Sequence, residues 1–193
     1  HCVACAQGCF DHLFNLQPVE CLCNPRAGHE ADRKVSAAPS PGKVLVVGGG
    51  PAGMTAAATA ARRGHRVVLY EREERLGGQL RIAGLPPGRD EFLVLADDLE
   101  AQLAPAGVER VERGIRVDED VIDREKPDAI ILATGAQEWV PPLDGAELPH
   151  VSGAWDVLRG RVCTGRRVVI IGGGAVGVET ALFLAERAPS PGT

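Results

Sequence analysis

The sequence is poor in aromatic residues and lacks long apolar runs. Phe, Trp and Tyr make up 4% of its 193 residues, with one Tyr and one Met. No apolar stretch reaches the length of a membrane span, so the sequence predicts no transmembrane helix and no membrane partner. The net charge is −5, and there is no basic stripe interleaved with aromatic residues. This composition argues against nucleic acid as a partner.

Glycine and short apolar segments are what the sequence has instead. It contains 24 glycines. The apolar KVLVV (43–47) is followed by GGGPAG, by a small-residue helix pattern that Gly64 is expected to end, and by the strand pattern RVVLYE (66–71). This order predicts a β-turn-α-β nucleotide-binding unit. RRVVIIGGGAVGVETALFLAER (166–187) repeats strand, Gly turn and helix, so a second unit begins there and is expected to be cut short.

The segment between the two units carries further element signals. Apolar residues at helical spacing follow Asp90, a candidate N-cap, and continue to Pro105. The stretches VERVE and IRV are short strand candidates. PDAIILATG (127–135) is typical of a buried strand that runs into a Gly turn. Residues 138–165 are rich in Pro and Gly and are interpreted as a connector.

Gly48, Gly50 and Gly53 fit the dinucleotide fingerprint G-x-G-x-x-G between a strand and a helix. The first glycine permits the tight turn, the second lets the backbone approach a pyrophosphate, and the third lets helix and strand pack closely. Glu71 ends the next strand, where a carboxylate can accept hydrogen bonds from ribose hydroxyls. The pattern therefore predicts a dinucleotide site with the phosphates at the helix N-terminus.

Gly172, Gly174 and Gly177 form the second fingerprint. By the same mechanics it would hold a second dinucleotide. The residues after it include no second strand and no acid or Arg that would select the cofactor. Two outcomes therefore stay open at this point: an incomplete site, or a folded unit that binds nothing.

Five of the six cysteines lie in the first 23 residues. The cysteines of a disulfide framework are instead distributed along the whole chain. The four at the spacing C-x2-C-x3-C-x11-C are Cys2, Cys5, Cys9 and Cys21. Thiolates are soft ligands that select iron–sulfur clusters, zinc or copper(I). Zinc stays an alternative, with His1, His12 and His29 as spare ligands. The clustering favours a local metal site in a reducing compartment, and hence a cytoplasmic protein.

Two further stretches resemble flavoprotein disulfide reductases. These are RLGGQL (75–80) and LATG (132–135). In that superfamily similar stretches contact the flavin nucleotide, so the resemblance implies FAD in the first site and NADH or NADPH in the second. The residues that it adds to the first site are Gly78, Gln79, Ala133, Thr134 and Gly135.

A more specific resemblance covers about residues 1–187. CVACAQGCFDHLFNLQPVECLCNPRAGHE, KVLVVGGGPAGM, LYEREERLGGQLRIAGLPPGRDEF and AIILATG are similar to the C-terminal half of the 2,4-dienoyl-CoA reductase and trimethylamine dehydrogenase family. This resemblance implies that the four cysteines named above bind a [4Fe-4S] cluster. It also implies FAD contacts at Ala52, Glu71, Gln79, Arg89 and Val117. Cys23 departs from the family pattern, where an aliphatic residue is usual.

The resemblance implies a function for a fragment that lacks the family's TIM barrel. Electrons from NAD(P)H would pass through FAD and the cluster to FMN in that barrel, the expected partner, for reduction of a 2,4-dienoyl-CoA-like substrate. No catalytic acid or base is required in this half. Alternatives are a trimethylamine-dehydrogenase-like half that binds ADP, and a zinc-stabilised nucleotide-binding module without activity.

The expected fold is a Rossmann-like FAD/NAD(P)-binding three-layer α/β fold behind a cysteine-rich iron–sulfur segment. Its predicted parts are the cysteine-rich segment at 1–36, the FAD-binding domain at 43–137, the connector at 138–165 and a truncated NAD(P)-binding domain at 166–193.

Overall fold

A computed structural model of the chain describes residues 2–187. His1 and residues 188–193, the end of the predicted second domain, lie outside the described residues. Within the described range, no helix has the length and apolar content needed to cross a bilayer. The helices and strands are, in chain order, α1 (Phe10–Phe14), β1 (Lys43–Val47), α2 (Pro51–Arg62), β2 (Arg66–Tyr70), α3 (Leu80–Ala83), α4 (Glu91–Ala101), α5 (Leu103–Ala106), β3 (Arg110–Glu112), α6 (Glu119–Glu125), β4 (Ala129–Leu132), α7 (Ala154–Leu158) and α8 (Ala175–Arg187).

The four strands form one parallel sheet in the order β3-β2-β1-β4. Strand β1 is central: Val44 pairs with Val67 of β2 on one side and with Ala129 of β4 on the other. Parallel neighbours require crossover connections, which α2 supplies between β1 and β2. All carboxyl ends of the strands therefore meet at one edge of the sheet, where ligands bind in such folds.

Alternate residues of the strands face two separate apolar cores. On one face Val46 and Leu69 pack with Met54 of α2 and Leu103 of α5. On the other face Leu45, Val68 and Tyr70 pack with Val121 of α6. Helices therefore cover both faces of the sheet, which gives the predicted three layers and the period-2 burial expected of strands between helices.

Helix α2 lies close to the sheet because most of the side chains on its buried face are small. Gly53, Ala57 and Ala58 are buried there, together with Met54. Gly64 follows its C-cap with φ +92°, so it ends the helix as predicted.

Three predictions about strands are wrong or incomplete. The strand near residue 130 forms, but it is not buried, because no strand of the described chain pairs with its outer edge; Leu132 is 76% exposed. No strand forms over residues 166–171, where Val169 is 89% exposed. The IRV stretch at 115–117 is also not a strand. Apolar β-branched residues favour a strand, but pairing needs a neighbour that the described residues do not supply.

A buried ion-pair network ties α6 to the sheet. Glu125 is 4% exposed, and its carboxylate lies 2.8 Å from Lys43 Nζ and 2.7 Å from Arg110 Nη2. The Tyr70 hydroxyl donates to the same carboxylate at 2.6 Å. Lys43 above all, then the Tyr70 hydroxyl and Arg110, hold the pKa of Glu125 at about 2, against the opposing effect of burial.

Candidate functional site

The first Gly turn joins β1 to α2 at the carboxyl edge of the sheet. Gly48 has φ +110°, and a Cβ there would overlap the Ala133 carbonyl oxygen. A Cβ on Gly53 would overlap the carbonyl oxygen of Gly48. A Cβ on Gly50 would meet nothing within 4 Å. Contacts within the protein therefore require glycine at positions 48 and 53. The space beside Gly50 is open and can accept a ligand.

Glu71 lies beside this turn and is buried. Its Oε2 accepts the Gly49 N–H at 2.6 Å, and its Oε1 accepts the Glu73 N–H at 2.9 Å. These two bonds fix the carboxylate next to the turn, while each oxygen keeps a further lone pair. The predicted ribose-binding acid is thus pre-oriented by backbone N–H groups.

Two other stretches come together with the Gly turn. The Gly77 N–H donates to the Gly49 carbonyl at 2.8 Å, and a Cβ on Gly78 would lie 3.1 Å from the Gly50 Cα. On the other side, the Ala133 N–H donates to the carbonyl of Val47 at 2.8 Å, since this residue directly follows β4. The backbone therefore forms a narrow cradle of close-packed glycine around Gly50.

Gln79 and residues 133–135 form the far wall of the cradle. Gln79 Nε2 donates to the Ala136 carbonyl at 3.3 Å and would lie 3.5 Å from a Cβ on Gly135, which has φ +72°. Two further residues predicted to contact the first dinucleotide lie on this edge of the sheet. Thr134 follows β4, and Ala52 lies in the first turn of α2.

The remaining two predicted contacts lie further from the Gly turn. Arg89, in the turn before α4, forms an ion pair with Glu179 of α8. Val117 is partly buried and packs against the core formed by Leu45 and Tyr70. Sequence reasoning missed Glu179, although it lies in the helix pattern directly after the second fingerprint.

The second Gly turn has the same local shape as the first. Gly172 has φ +113°, a Cβ on Gly177 would overlap the Gly172 carbonyl oxygen, and a Cβ on Gly174 would meet nothing within 4 Å. The turn therefore forms without the sheet that precedes it in the first unit.

The cysteine loop precedes the sheet and is tightly turned. Ala4 and Ala6 have positive φ, and the Ala4 N–H donates to the Cys2 Sγ at 3.4 Å. The Glu20 N–H donates to the Gly8 carbonyl at 2.7 Å, which brings the chain beside Cys9 to the chain beside Cys21. Turns of this kind and N–H···S bonds are typical of loops that hold anionic sulfur centres.

Cys23 lies within the same group of thiols. Burial raises the pKa of Cys23, a hydrogen bond from the Val3 N–H opposes this, and the sulfurs of Cys21, Cys5 and Cys2 raise it further. All six cysteines are free thiols. Cys163 is exposed and lies outside this loop, in the connector.

A single-ion metal site is not preformed among residues 2–187. No group of three or more His, Cys, Asp or Glu side chains in that range could hold one ion. His12 Nδ1 contacts the Pro18 carbonyl at 2.8 Å, and His29 contacts Asp32 and Glu20. The chemistry of the donor set, four free thiols in one loop with an N–H donor on Cys2, is of the kind that iron–sulfur clusters use.

The fold is a parallel sheet between two layers of helices, with a glycine cradle beside a buried acid. These features define a Rossmann-like dinucleotide-binding protein. Residues 42–189 match the pyridine nucleotide-disulphide oxidoreductase family, and the chain belongs to that family.

Longer relatives agree with this assignment. The chain is 44% identical over 188 residues to a metal reductase of Desulforamulus reducens, which covers 96% of this chain and 28% of the relative. It is 47% identical over 192 residues to an NADH oxidase of Thermoanaerobacter brockii, with 96% and 29% covered. The structure of a 2-naphthoyl-CoA reductase complex matches 96% of this chain and 28% of that chain, with 34% identity and a TM-score of 0.91.

The chain thus spans less than a third of the length of these relatives. Its family identifies it as a domain of the FAD-dependent oxidoreductase type. The family supports the predicted use of FAD and of a pyridine nucleotide. The contacts of individual residues with these cofactors stay predictions.

A Glu71→Gln variant tests the predicted ribose contact. The glutamine amide would place an NH2 donor where a carboxylate oxygen now accepts a hydrogen bond from a backbone N–H. We expect FAD affinity to fall by roughly 10- to 100-fold, the loss of a hydrogen bond to a charged group. The measurement is flavin titration of the apoprotein, with Glu74→Gln as the control from the same loop. Equal affinity of the Glu71 variant and the wild type would remove Glu71 from the site.

Proposed function

We propose that this chain is part of the electron-transfer region of an NAD(P)H-dependent flavin and iron–sulfur oxidoreductase of the 2,4-dienoyl-CoA reductase and trimethylamine dehydrogenase type. The observation that carries the proposal is the open space over Gly50 beside the pre-oriented Glu71 carboxylate. A pyrophosphate can approach the backbone there, and a ribose can reach the acid. We further propose the cytoplasm, where reduced thiols persist.

In this proposal the first site holds FAD and the second turn holds the phosphates of NAD(P)H. The chemistry that the bound groups supply is hydride transfer from NAD(P)H to FAD and single-electron transfer through a [4Fe-4S] cluster to FMN in a TIM barrel. The protein's own part is to hold the cofactor: backbone N–H groups at the start of α2 bind phosphate, and Glu71 binds ribose. Gln79, Arg89 and the backbone near Val117 orient the remainder.

The cluster ligands in this proposal are Cys2, Cys5, Cys9 and Cys21. The chemistry of four thiolates in a tightly turned loop supports it, as does the N–H donor on Cys2. Cys23 is then a fifth, non-ligating thiol.

A docking face for the barrel is also part of the proposal. Phe10 and Phe14 of α1 stack with their ring centroids 6.1 Å apart, and both are exposed together with Leu13. Exposed aromatic clusters of this kind mark interfaces. Helix α1 directly follows Cys9, so a domain docked here would lie next to the cluster.

The substrate class rests on the relatives alone. The matched relatives are named for a metal, for NADH and for 2-naphthoyl-CoA, although they share this segment. A segment shared by such different enzymes does not select the substrate. An unsaturated CoA thioester, as in the name of the naphthoyl-CoA reductase, is proposed only for the whole protein and does not follow from this segment.

A Cys21→Ser variant tests the cluster. Since a hydroxyl is a poor ligand for iron, we expect most of the iron and labile sulfide to be lost after anaerobic purification, with flavin content retained. Cys163→Ser is the matched control and should keep both. Zinc in the wild type, without iron or sulfide, would refute the cluster. A colourless adenine nucleotide in place of flavin would favour the ADP-binding alternative.

A further inference from the structure

The first and second dinucleotide units meet at a small apolar junction. Ile82 of α3, Leu158 of α7 and Phe183 of α8 form one buried cluster there. Since α8 is the helix that follows the second Gly turn, this cluster fixes the second unit against the first. Glu179 lies one helical turn before Phe183 on the same face of α8. The packing of Phe183 therefore also fixes the position of the Glu179 backbone.

The Arg89–Glu179 ion pair lies at the edge of this junction. Both side chains are partly exposed, and among residues 2–187 Glu179 is the acid that pairs with Arg89. Glu179 and Gln79 also line one cavity of about 180 Å³ between α3 and α8. Gln79 contacts the Ala136 backbone at the far wall of the cradle. Glu179 therefore lies across this cavity from Gln79, which borders the first dinucleotide site.

We propose that Glu179 is a positioning residue for the first cofactor: it holds the Arg89 guanidinium toward the FAD site. This inference rests on the proposed function. A guanidinium has five N–H donors in a rigid plane. A carboxylate on one edge fixes that plane and leaves the other donors for phosphate or carbonyl oxygens. The second unit then contributes to binding at the first site.

The test is a double-mutant cycle of Glu179→Gln and Arg89→Gln in the protein at its natural length. We measure the FAD dissociation constant of each apoprotein, the visible flavin spectrum and the melting temperature. Glu179→Gln should weaken FAD binding roughly tenfold, as expected for one charge-assisted hydrogen bond. The same change should add nothing in the Arg89→Gln background, because the residue acts through Arg89. Glu186→Gln, exposed on the same helix, is the matched control and should leave FAD binding unchanged.

A purely structural role would give a different pattern. The melting temperature of the apoprotein would fall, with the two substitutions non-additive in stability, while FAD affinity and the flavin spectrum would not change. A fall in melting temperature with unchanged FAD binding in Glu179→Gln overturns the inference. If Glu179→Gln does not fold, Glu179→Asp keeps the charge and shortens the reach, and it should show the same non-additivity. A wild-type protein that takes up no flavin overturns the proposed function itself, and the inference with it.

Discussion

A Gly53→Ala variant is expected to lose its flavin and to melt at a lower temperature than the wild type. The added Cβ would overlap the carbonyl oxygen of Gly48 and would lie 3.3 Å from the Ala133 Cβ. Backbone atoms of a tight turn cannot move aside as a flexible side chain can. We expect a destabilisation of about 1–3 kcal/mol, typical of overpacking, measured by urea unfolding of the apoprotein.

Gly50→Ala separates binding from folding at the same turn. Its φ of −73° suits alanine, and the added methyl group would meet no protein atom within 4 Å. The free energy of unfolding should stay within about 0.5 kcal/mol of the wild type. The methyl group would occupy the space reserved for the pyrophosphate, so FAD affinity should fall by about tenfold or more. Wild-type affinity in this variant would show that the cofactor lies elsewhere.

A Glu125→Gln variant is expected to lower the free energy of unfolding by about 2–3 kcal/mol at neutral pH. The substitution keeps the size of the side chain but removes the charge that Lys43 and Arg110 face. Both cations are partly exposed and can be hydrated, which keeps the loss at the lower end for broken buried pairs. Glu109→Gln, which removes an exposed ion pair with Arg66, is the control and should change stability little.

The pH dependence identifies the cause of this loss. The pKa of Glu125 is about 2 in the folded protein, below the ordinary carboxyl value. Its contribution is therefore complete above about pH 4.5 and is lost as the pH falls toward 2. The difference between wild type and variant should shrink over that range. A difference that stays constant down to pH 2 would contradict the ionic explanation.

The sequence predicted the first dinucleotide unit well because its signals are local. The strand before Gly48, the helix after Gly50 and the strand ending at Glu71 all follow from short patterns of apolar and small residues. Gly64 is a further local signal, since a positive φ is costly for any other residue.

What the sequence could not predict depends on distant partners. The exposure of Leu132 follows from the lack of a described neighbouring strand, and no pattern within 127–135 carries that information. The Glu125 network joins residues more than eighty positions apart, and the acid itself looks like an ordinary helix-surface residue. The Arg89–Glu179 pair is similar: each residue has a local explanation, and only the packing of α8 on α3 brings them together.

The second Gly turn has a consequence for the order of folding. Gly172 and Gly177 are five positions apart, and α8 begins between them, so the contacts that shape this turn close a very short loop. Loops this short close in well under a microsecond, whereas parallel strand pairing must wait for a distant segment. The turn and its helix can thus form as soon as this segment is made, before any sheet around them is assembled.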